Sequence, residues 1–536
     1  MKKRIFAALS VLLCLAMLAG CTGGGTPSSS ASSGPAPTAP TKAITIVHTN
    51  DVHGYDSATD ALSGQPSETV IGLDAVAGLR DALAEEGPVF LLDAGDATQG
   101  IFFVTQNKGE AAIDIMNAAG YDAMTLGNHE FDYGWFQLIN LIGQAQFPIL
   151  SQLDDEETQQ TENLHHYTVL ERDGVRLGVF GITTPETQFK SDGGFGRDFG
   201  TVQDLIDYAD SMVHLLREEV VVDYVVCLAH LGVEDMGYGT SYDIRDNVEG
   251  IDLIIDGHSH TVLEDIVNVE GRTQITSTGA SGARVGVARL DATGEALVVE
   301  TKNLDKAAMA EYTPVADVTA VIDGWAAQVA TEGNVVVAQI PFDITVAREN
   351  ERTGETVMGN IVTDAMREVS GADIAMQNGG GIRDQQLAAG DVTKAQLIAI
   401  LPFGNVLQMA EVEGSVILEL LEQGVSMYPE ANGGFAHVSG MAYTFNPDAE
   451  VGSRIVSVTV GGQPLDPDAV YTLCTNDFTA AGGDLYTMLV EPFSSQLPLE
   501  NPDYAAIDQA LVHYLRTHQA ELSPDLEGRI QPVPGQ

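Results

Sequence analysis

From Ile44 onward, short apolar runs alternate with longer stretches in which apolar residues recur every three or four positions. A short apolar run is typical of a buried strand, and the longer spacing is typical of a helix that packs on one face. The alternation predicts an α/β domain built in layers. The predicted strands are Ile44–His48, Val89–Leu92, Ala123–Leu126, Pro148–Leu150, Val225–Leu228 and Leu253–Ile255, and the predicted helices are Leu73–Glu85, Glu110–Ala119, Trp135–Ala145 and Val202–Glu218.

The pattern changes after Leu290, where hairpin-like segments lead into a long helical stretch, Val315–Ala330. A chain of 536 residues exceeds the size at which one core keeps growing, so a second domain is expected beyond this connector helix. The second domain is again mixed, with helices predicted at Glu355–Ser370, Thr393–Ile400, Ser415–Met427 and Ala505–Thr517. The predicted boundaries are 42–310 for the first domain, 311–333 for the connector and 334–536 for the second domain.

The N-terminus has the pattern of a secretory signal, because the basic Met1-Lys2-Lys3-Arg4 precedes 16 uncharged residues. That run is shorter than the roughly 20 residues of a membrane span, and it ends in Leu18-Ala19-Gly20-Cys21, which resembles a bacterial lipoprotein cleavage box. We predict a signal peptide over residues 1–20, a lipid on Cys21 and a flexible Gly/Ser/Pro-rich linker over residues 21–41. The protein would then be exported and anchored to the bacterial cell membrane, facing outside the cytoplasm. Simple cleavage, with no role for Cys21, is the alternative.

The net charge of the chain argues against some classes of binding partner. The chain has 25 Lys and Arg against 76 Asp and Glu, a formal net charge of −51. So acidic a protein is not expected to bind a nucleic-acid polymer, or a membrane through a basic face. We expect a monomer whose only membrane attachment is the lipid anchor. An anionic substrate would need a site that is locally positive, since screening limits the repulsion of the rest of the surface to about 8 Å.

Four short motifs follow predicted strands: Asp51-Val52-His53, Gly95-Asp96, Gly127-Asn128-His129-Glu130 and Gly257-His258-Ser259-His260. Each alone is weak, because similar tripeptides occur in ordinary turns. Open α/β sheets gather their ligands at strand ends, and Asp, Asn and His are donors that a pair of divalent ions shares. Ions about 3.5–4 Å apart are a recurring device for attack on phosphorus. The series therefore predicts a two-metal hydrolase of phosphate esters.

From about Ala43 to its end, the chain resembles the exported 5′-nucleotidase family, and its first domain resembles a calcineurin-like metallophosphoesterase. The segment Cys227-Leu228-Ala229-His230-Leu231-Gly232 adds a further match. The resemblance implies a four-layer α/β/β/α sandwich followed by a mixed α+β C-terminal domain. It implies one ion held by Asp51, His53, Asp96 and His260, and a second held by Asp96, Asn128, His230 and His258. We expect zinc or manganese, while cobalt, magnesium and calcium remain open.

The resemblance also assigns a catalytic role to His129, which neither ligand set needs. Its implied partner is Asp132, three residues later, which would orient the ring and favour its protonated form. A cationic His129 would stabilise charge on the phosphoryl group and on the departing oxygen. The alternative is that Glu130 or Asp132 merely caps a helix.

In the second domain, three segments match the family: Asn378-Gly379-Gly380-Gly381-Ile382-Arg383, Pro402-Phe403-Gly404-Asn405, and Asn476-Asp477-Phe478 followed by Gly482-Gly483-Asp484. The resemblance implies that two phenylalanines sandwich the nucleobase, that an aspartate binds the ribose hydroxyls and that arginines bind phosphate. Ordinary core phenylalanines and a surface ion-pair cluster of Arg348 and Arg352 with neighbouring glutamates are the alternatives. The candidate substrate residues are Arg348, Arg352, Asn378, Gly380, Arg383, Phe403, Phe478 and Asp484.

The expected activity is metal-dependent hydrolysis of nucleoside 5′-monophosphates, with other nucleotides or nucleotide sugars as further substrates. Alternatives are a 2′,3′-cyclic-nucleotide phosphodiesterase/3′-nucleotidase, a UDP-sugar pyrophosphatase, or a catalytically silent nucleotide-binding lipoprotein. Two departures from the family occur. Leu150-Ser151-Gln152 stands where many relatives have Ser-Ala-Asn, and His260 stands where several have glutamine or asparagine. The family is known for a large rotation of its C-terminal domain, so the connector helix is the expected hinge.

Overall fold

The computed structural model describes residues 43–154, 158–191, 194, 196–234, 237–266, 273–294 and 296–533. The signal peptide, Cys21 and the linker lie outside these residues, so their assignment stays a prediction. Within the described part of the chain, no helix is both long enough and apolar enough to cross a membrane.

The strands of the first domain form two sheets. In chain order they are β1 (Ile44–Thr49), β2 (Val89–Asp93), β3 (Ala123–Thr125), β4 (Ile149–Leu150), β5 (Leu164–His165), β6 (Tyr167–Arg172), β7 (Val175–Thr183), β8 (Tyr224–His230), β9 (Leu253–Asp256), β10 (Gln274–Thr276), β11 (Arg284–Asp291) and β12 (Val298–Asp305). One sheet has the order β12-β11-β1-β2-β3-β4-β5 and the other β10-β9-β8-β7-β6. Strands β1 to β5 run parallel, as do β7 to β10.

Helices cover the outer faces of these sheets. They are α1 (Leu73–Ala84), α2 (Phe102–Thr105), α3 (Glu110–Ala119), α4 (Trp135–Gln144), α5 (Thr187–Lys190), α6 (Val202–His214), α7 (Ser241–Asn247), α8 (Lys306–Met309) and α9 (Ala316–Gly333). Alternate residues of β2 explain the layering: Phe90 and Leu92 enter the core between the sheets, while Val89 and Leu91 enter the core shared with α1, α3 and α9. The predicted α/β/β/α sandwich is confirmed.

The second domain is mixed. Its strands are β13 (Val336–Ile340), β14 (Ile344–Val346), β15 (Ile374–Asn378), β16 (Gln385–Leu387), β17 (Gly390–Thr393), β18 (Leu407–Glu413), β19 (Ala436–Ser439), β20 (Met441–Phe445), β21 (Ile455–Val460), β22 (Gln463–Pro464), β23 (Val470–Asn476) and β24 (Ile530–Pro532). Its helices are α10 (Arg348–Glu351), α11 (Val357–Ser370), α12 (Lys394–Ile400), α13 (Gly414–Gly424), α14 (Asp477–Ala480), α15 (Val490–Phe493) and α16 (Ile507–Thr517). Helix α11 packs on α16 and on the sheet of order β18-β23-β15-β19.

A buried glutamate joins the loops that follow β2 and β3. Backbone N–H groups of Asp96 and Gly127 donate to Glu130 Oε2 at 2.9 and 2.7 Å. Those of Ala97 and Thr98 donate to Oε1 at 2.8 and 3.1 Å, and the Thr98 hydroxyl also donates to Oε1. The role of Glu130 is therefore to hold two loops together rather than to cap one helix.

We expect Glu130→Gln to lower the free energy of unfolding by about 1–3 kcal/mol, because an amide NH₂ would replace one of two oxygens that each accept backbone N–H groups. The measurement is chemical denaturation of both proteins. The exposed Glu85 supplies the control, since Glu85→Gln should change stability by less than about 0.5 kcal/mol. Equal stability of the two variants would show that the Glu130 bonds contribute nothing.

Candidate active site

Five strands of the first domain end at one place. Asp51 follows β1, Asp96 follows β2 and Asn128 follows β3, all in the first sheet. His230 ends β8 and His258 follows β9, in the second sheet. Because β1, β2 and β3 are parallel neighbours and β8 and β9 are also parallel, their carboxyl ends bring these side chains to the same edge of the sandwich.

Asp51, His53 and His260 form one group of potential metal ligands, with their ligand atoms within 4.8 Å of one another. His260 Nε2 lies 3.5 Å from Asp51 Oδ1 and 3.1 Å from His53 Nε2. His53 Nε2 in turn lies 3.8 Å from Asp96 Oδ2. The four side chains assigned to the first ion are thus adjacent.

The four side chains assigned to the second ion are also adjacent. His230 Nε2 lies 3.1 Å from Asp96 Oδ2, and His258 Nδ1 lies 2.9 Å from Asn128 Oδ1. The His230 and His258 ring centroids are 5.2 Å apart. Ligand atoms of Asp51, Asp96 and His230 also lie within 4.8 Å of one another, so Asp51 borders both groups. The structure brings all seven predicted ligand side chains together.

The orientation of the imidazole rings fits metal ligation. His53 Nδ1 donates to the Gln99 carbonyl at 2.9 Å, and His230 Nδ1 donates to the Ala94 carbonyl at 2.7 Å. His258 Nε2 donates to Glu186 Oε2 at 2.8 Å. In each ring the other nitrogen faces the cluster, which is how carbonyl and carboxylate partners orient histidine ligands.

Potential ligand atoms of neighbouring side chains therefore lie within about 3 Å of one another. His53 Nε2 opposes His260 Nε2, and His258 Nδ1 opposes the Asn128 amide oxygen. His230 Nε2 makes no hydrogen bond of acceptable geometry among the described residues. Bound cations would satisfy all of these atoms, so the donor set fits the divalent metal ions that the sequence predicts.

The site also shifts the ionisation of its carboxylates. Burial, with the neighbouring Asp96, raises the pKa of Asp51 to about 7, against the opposing effect of His230. Burial acts to raise the pKa of Asp96 as well, but His230, His129 and His53 outweigh burial and lower it well below its usual range. Burial lowers the pKa of His53 to about 3, which leaves that ring neutral and able to bind metal.

The backbone at this edge adopts an uncommon conformation. Five of the seven predicted ligands have positive φ angles: Asp51 (49°), His53 (51°), Asp96 (60°), His258 (76°) and His260 (54°). Such angles are uncommon for residues other than glycine, and strained residues cluster at functional sites. The strain directs these side chains into the cluster, and the folded sandwich sustains it.

His129 and Asp132 form the predicted pair beside the ligands. His129 Nδ1 donates to Asp132 Oδ2 at 2.6 Å, and the His129 backbone N–H donates to Asp96 Oδ1 at 2.9 Å. Burial acts to lower the pKa of His129, but Asp132 and Asp96 outweigh burial and raise it to about 9. The ring is therefore cationic near neutral pH and can donate a proton from Nε2.

Three arginines of the second domain, Arg348, Arg352 and Arg383, form a cationic cluster. Burial, Arg348 and Arg383 together lower the pKa of Arg352 to about 10. Among the described residues, none of the three arginines forms an ion pair within 4.0 Å. Glu351 is fully buried and accepts a hydrogen bond from the Thr356 hydroxyl at 2.6 Å, so it belongs to no surface ion-pair cluster. The cluster can bind an anion.

The remaining candidate residues lie close to one another. Asn378 Nδ2 donates to Asp484 Oδ2 at 2.7 Å, and the Gly380 N–H donates to the Gly433 carbonyl at 2.7 Å. Any side chain at Gly483 would collide with the Phe478 ring, because a Cβ there would lie 2.5 Å from a ring carbon. Phe478 is half-buried rather than a core residue and lies against Gly483, the residue before Asp484.

Phe403 joins the two halves of the site. Its ring is stacked on the His129 ring, with centroids 6.2 Å apart and planes 17° apart. The Arg383 guanidinium carbon lies 5.6 Å from the centre of the same ring. The C-terminal arginine and aromatic groups thus face the predicted catalytic pair, His129 and Asp132, of the first domain.

Two residues in contact with the predicted ligands had no sequence signal. Glu186 follows β7, a strand that the apolar pattern did not predict, and it bonds to His258. Asn50 donates to Asp51 Oδ2 at 2.7 Å, and its side-chain oxygen accepts from the Thr278 N–H. Both act on a ligand through contacts that only the fold creates.

Comparison with known proteins agrees with this geometry. The calcineurin-like phosphoesterase profile matches residues 44–262, which contain all the predicted metal ligands. The profile of the 5′-nucleotidase C-terminal domain matches residues 333–491, which contain all the candidate substrate residues.

The chain is 30% identical to the 5′-nucleotidase of Diplobatis ommata over 491 residues, which cover 83% of each protein. It is 30% identical over 539 residues to the trifunctional nucleotide phosphoesterase protein YfkN of Bacillus subtilis (strain 168), covering 91% of this chain but only 35% of that longer protein. The crystal structure of the 5′-nucleotidase precursor from Thermus thermophilus matches with a TM-score of 0.72 and 31% identity, over 92% of this chain and 100% of that one. The chain therefore belongs to the 5′-nucleotidase family, with a calcineurin-like metallophosphoesterase domain and a 5′-nucleotidase C-terminal domain, and it is a hydrolase of phosphoric esters.

Proposed function

We propose that this enzyme hydrolyses nucleoside 5′-monophosphates to nucleoside and phosphate, with the nucleoside bound by the second domain and the phosphate at the metal centre of the first. Zinc or manganese ions are the proposed cofactors. Export and a lipid anchor on Cys21 belong to the same proposal and are supported by the N-terminal sequence pattern alone.

The observation that carries this proposal is the position of Phe403. Its ring contacts His129 of the first domain and lies beside Arg383 of the second. A base stacked on its other face would be close enough for the attached phosphate to reach both the arginine and the catalytic pair. A simple phosphomonoesterase would need no such aromatic group beside its metal ligands.

The chain's own residues supply charge and a proton. Asp51, His53, Asp96, Asn128, His230, His258 and His260 would hold the divalent ions. Such ions, when bound, activate water and neutralise charge on a phosphoryl group. Arg383 would bind a phosphoryl oxygen, and Asp132 keeps His129 oriented and protonated. His129 would then donate a proton from Nε2 to the departing 5′ oxygen.

Asp484 would select the ribose. Its side chain is 6% exposed, and its Oδ2 accepts a hydrogen bond from Asn378 at 2.7 Å. An ionised carboxylate has about four acceptor sites, so it can accept from adjacent ribose hydroxyls as well as from the protein. The half-buried rings of Phe403 and Phe478 would hold the base by stacking, which accepts any base. Binding of the ribose by Asp484 and of the base by the two phenylalanines would favour ribonucleotides over simple phosphate esters.

We expect Asp484→Ala to raise KM for AMP about tenfold or more, because a lost hydrogen bond to a charged group is worth about 1.5–3 kcal/mol. The same variant should leave kcat/KM for 4-nitrophenyl phosphate unchanged, since that ester has no ribose. Steady-state kinetics with both substrates make the measurement. Asp503→Ala, at an exposed position of the same domain, is the matched control. An equal loss with both substrates would contradict a role in ribose binding.

His129→Ala should lower kcat by about 10²- to 10⁴-fold, the usual size of a general acid's contribution, while bound metal per protein stays constant. His230→Ala should instead reduce bound metal, because it removes a ligand whose Nε2 faces Asp96. Elemental analysis together with kinetics separates the two roles. The exposed His165 provides the control substitution. Loss of metal from the His129 variant would identify that residue as a ligand.

A further inference from the structure

One short segment, residues 186–191, contacts both metal-ligand loops. Glu186 Oε2 accepts from His258 Nε2 at 2.8 Å. At the other end, the Ser191 hydroxyl donates to the Asn128 carbonyl at 2.6 Å. Both side chains are buried, with 5% and 1% exposed. The segment therefore fixes the orientation of one predicted ligand and the backbone of another.

The same segment contacts the second domain. Its helix α5 lies against the turn Gly483–Leu485, which carries the proposed ribose ligand Asp484. Asp484 and Leu485 have consecutive positive φ angles of 52° and 66°, so the turn has a strained conformation that its surroundings must sustain. Because α5 contacts this turn, a change in the position of the turn would displace α5.

Helix α5 has only four residues, too few to be stable without tertiary contacts. Its first residue is held by a bond from the Thr187 hydroxyl to the Thr184 carbonyl at 2.7 Å. The segment also contacts the ligand loops on one side and the Gly483–Leu485 turn on the other, and the Phe189 ring centroid lies 5.9 Å from that of Tyr238. Because segment 186–191 contacts both the ligand loops and the turn, a shift of the turn would be passed through the segment to the ligand loops.

We propose that segment 186–191 couples nucleoside binding at Asp484 to metal binding at the His258 and Asn128 loops. Binding of the nucleoside would fix the Gly483–Leu485 turn, and the turn would fix α5. Glu186 and Ser191 would then hold His258 and Asn128 in the ligating position. Glu186 and Ser191 are positioning residues in this scheme. The coupling rests on the proposed function, because it takes Asp484 as the nucleoside site.

Coupling between two binding sites is reciprocal, so each ligand must raise the affinity of the other by the same factor. Adenosine is a suitable probe because it has no phosphate group to ligate the metal ions. The measurement is the Kd of Mn²⁺, from the paramagnetic resonance signal of free Mn²⁺, without adenosine and at saturating adenosine. The reverse measurement is the Kd of adenosine by calorimetry, with and without Mn²⁺.

In the wild-type protein, saturating adenosine should tighten Mn²⁺ binding by about fivefold or more, and Mn²⁺ should tighten adenosine binding by the same factor. Glu186→Gln should reduce this factor towards one by weakening the charged contact to His258. Leu485→Ala should do the same from the other side, because Leu485 belongs to the turn that lies against α5. Leu526→Ala, another partly exposed leucine of the second domain, should leave the factor unchanged.

Thermal unfolding of each variant, with Ser191→Ala as a second substitution within the segment, identifies any variant that has lost its fold. Adenosine binding without any change in Mn²⁺ affinity in the wild-type protein would overturn the coupling but not the proposed function. Full coupling in both folded segment variants would overturn the role of segment 186–191. Failure of adenosine to bind at all would contradict the nucleoside site, and the coupling with it.

Discussion

Potential metal ligands from both sheets of the first domain approach one another closely at one end of the sandwich. Buried carboxylates and imidazole nitrogens face one another at 3.1–3.8 Å across Asp51, His53, Asp96, His230 and His260. Without cations such a cluster opposes folding, because it buries charge and leaves lone pairs unsatisfied. Divalent ions convert the same cluster into a stabilising centre. Glu130, which joins two ligand loops, helps to bring these side chains together, as do the positive φ angles of five predicted ligands.

The proposed substrate site is separate from this centre, and it is cationic whereas the ligand cluster contains buried carboxylates. The chain has a formal net charge of −51, yet three arginines lie close enough together to affect one another's pKa, and they form the proposed phosphate site. Salt screens the repulsion by acidic surface groups more than about 8 Å away, so cations close to the site decide whether a phosphate binds. Phe403 lies beside Arg383 of this cluster and stacks on His129 of the His129–Asp132 pair, so residues of both domains meet at the proposed active site.

Much of this architecture could be predicted from sequence because local patterns encode it. Helix α3 has the predicted bounds, Glu110–Ala119, since its apolar spacing is regular and a glycine follows it. Strand β7 was not predicted, because Gly178 and Gly181 interrupt its apolar run. Gly181 is required there by the neighbouring sheet, as a Cβ would lie 2.6 Å from the Cβ of Leu150. The contact between Gly181 and Leu150 cannot be inferred from the pattern of apolar residues along β7.

Some residues of the candidate active site could likewise be predicted from the sequence, and others could not. Ligand-type residues directly after strands indicated the metal site, the family resemblance added His230 and implied the seven ligands, and the structure brings all of them together. Predicted helix Val202–Glu218 divides into α6 and a π-helical turn, Leu215–Val220, which periodicity does not distinguish. Glu130 and Glu186 were not predicted as positioning residues, because a single glutamate in a loop has no pattern. Their roles depend on contacts between segments 32 to 72 residues apart in the chain.

In the proposed function, one metal centre cleaves the substrate and a nucleoside site in the second domain selects it. The measurement is phosphate release by the purified protein from AMP, UDP-glucose and cyclic AMP, before and after chelation and again after addition of manganese or zinc. We expect release from AMP to be the fastest of the three, to be abolished by the chelator and to be restored by metal. Release from none of these nucleotides under any metal condition, or equal release after complete removal of metal, would contradict it.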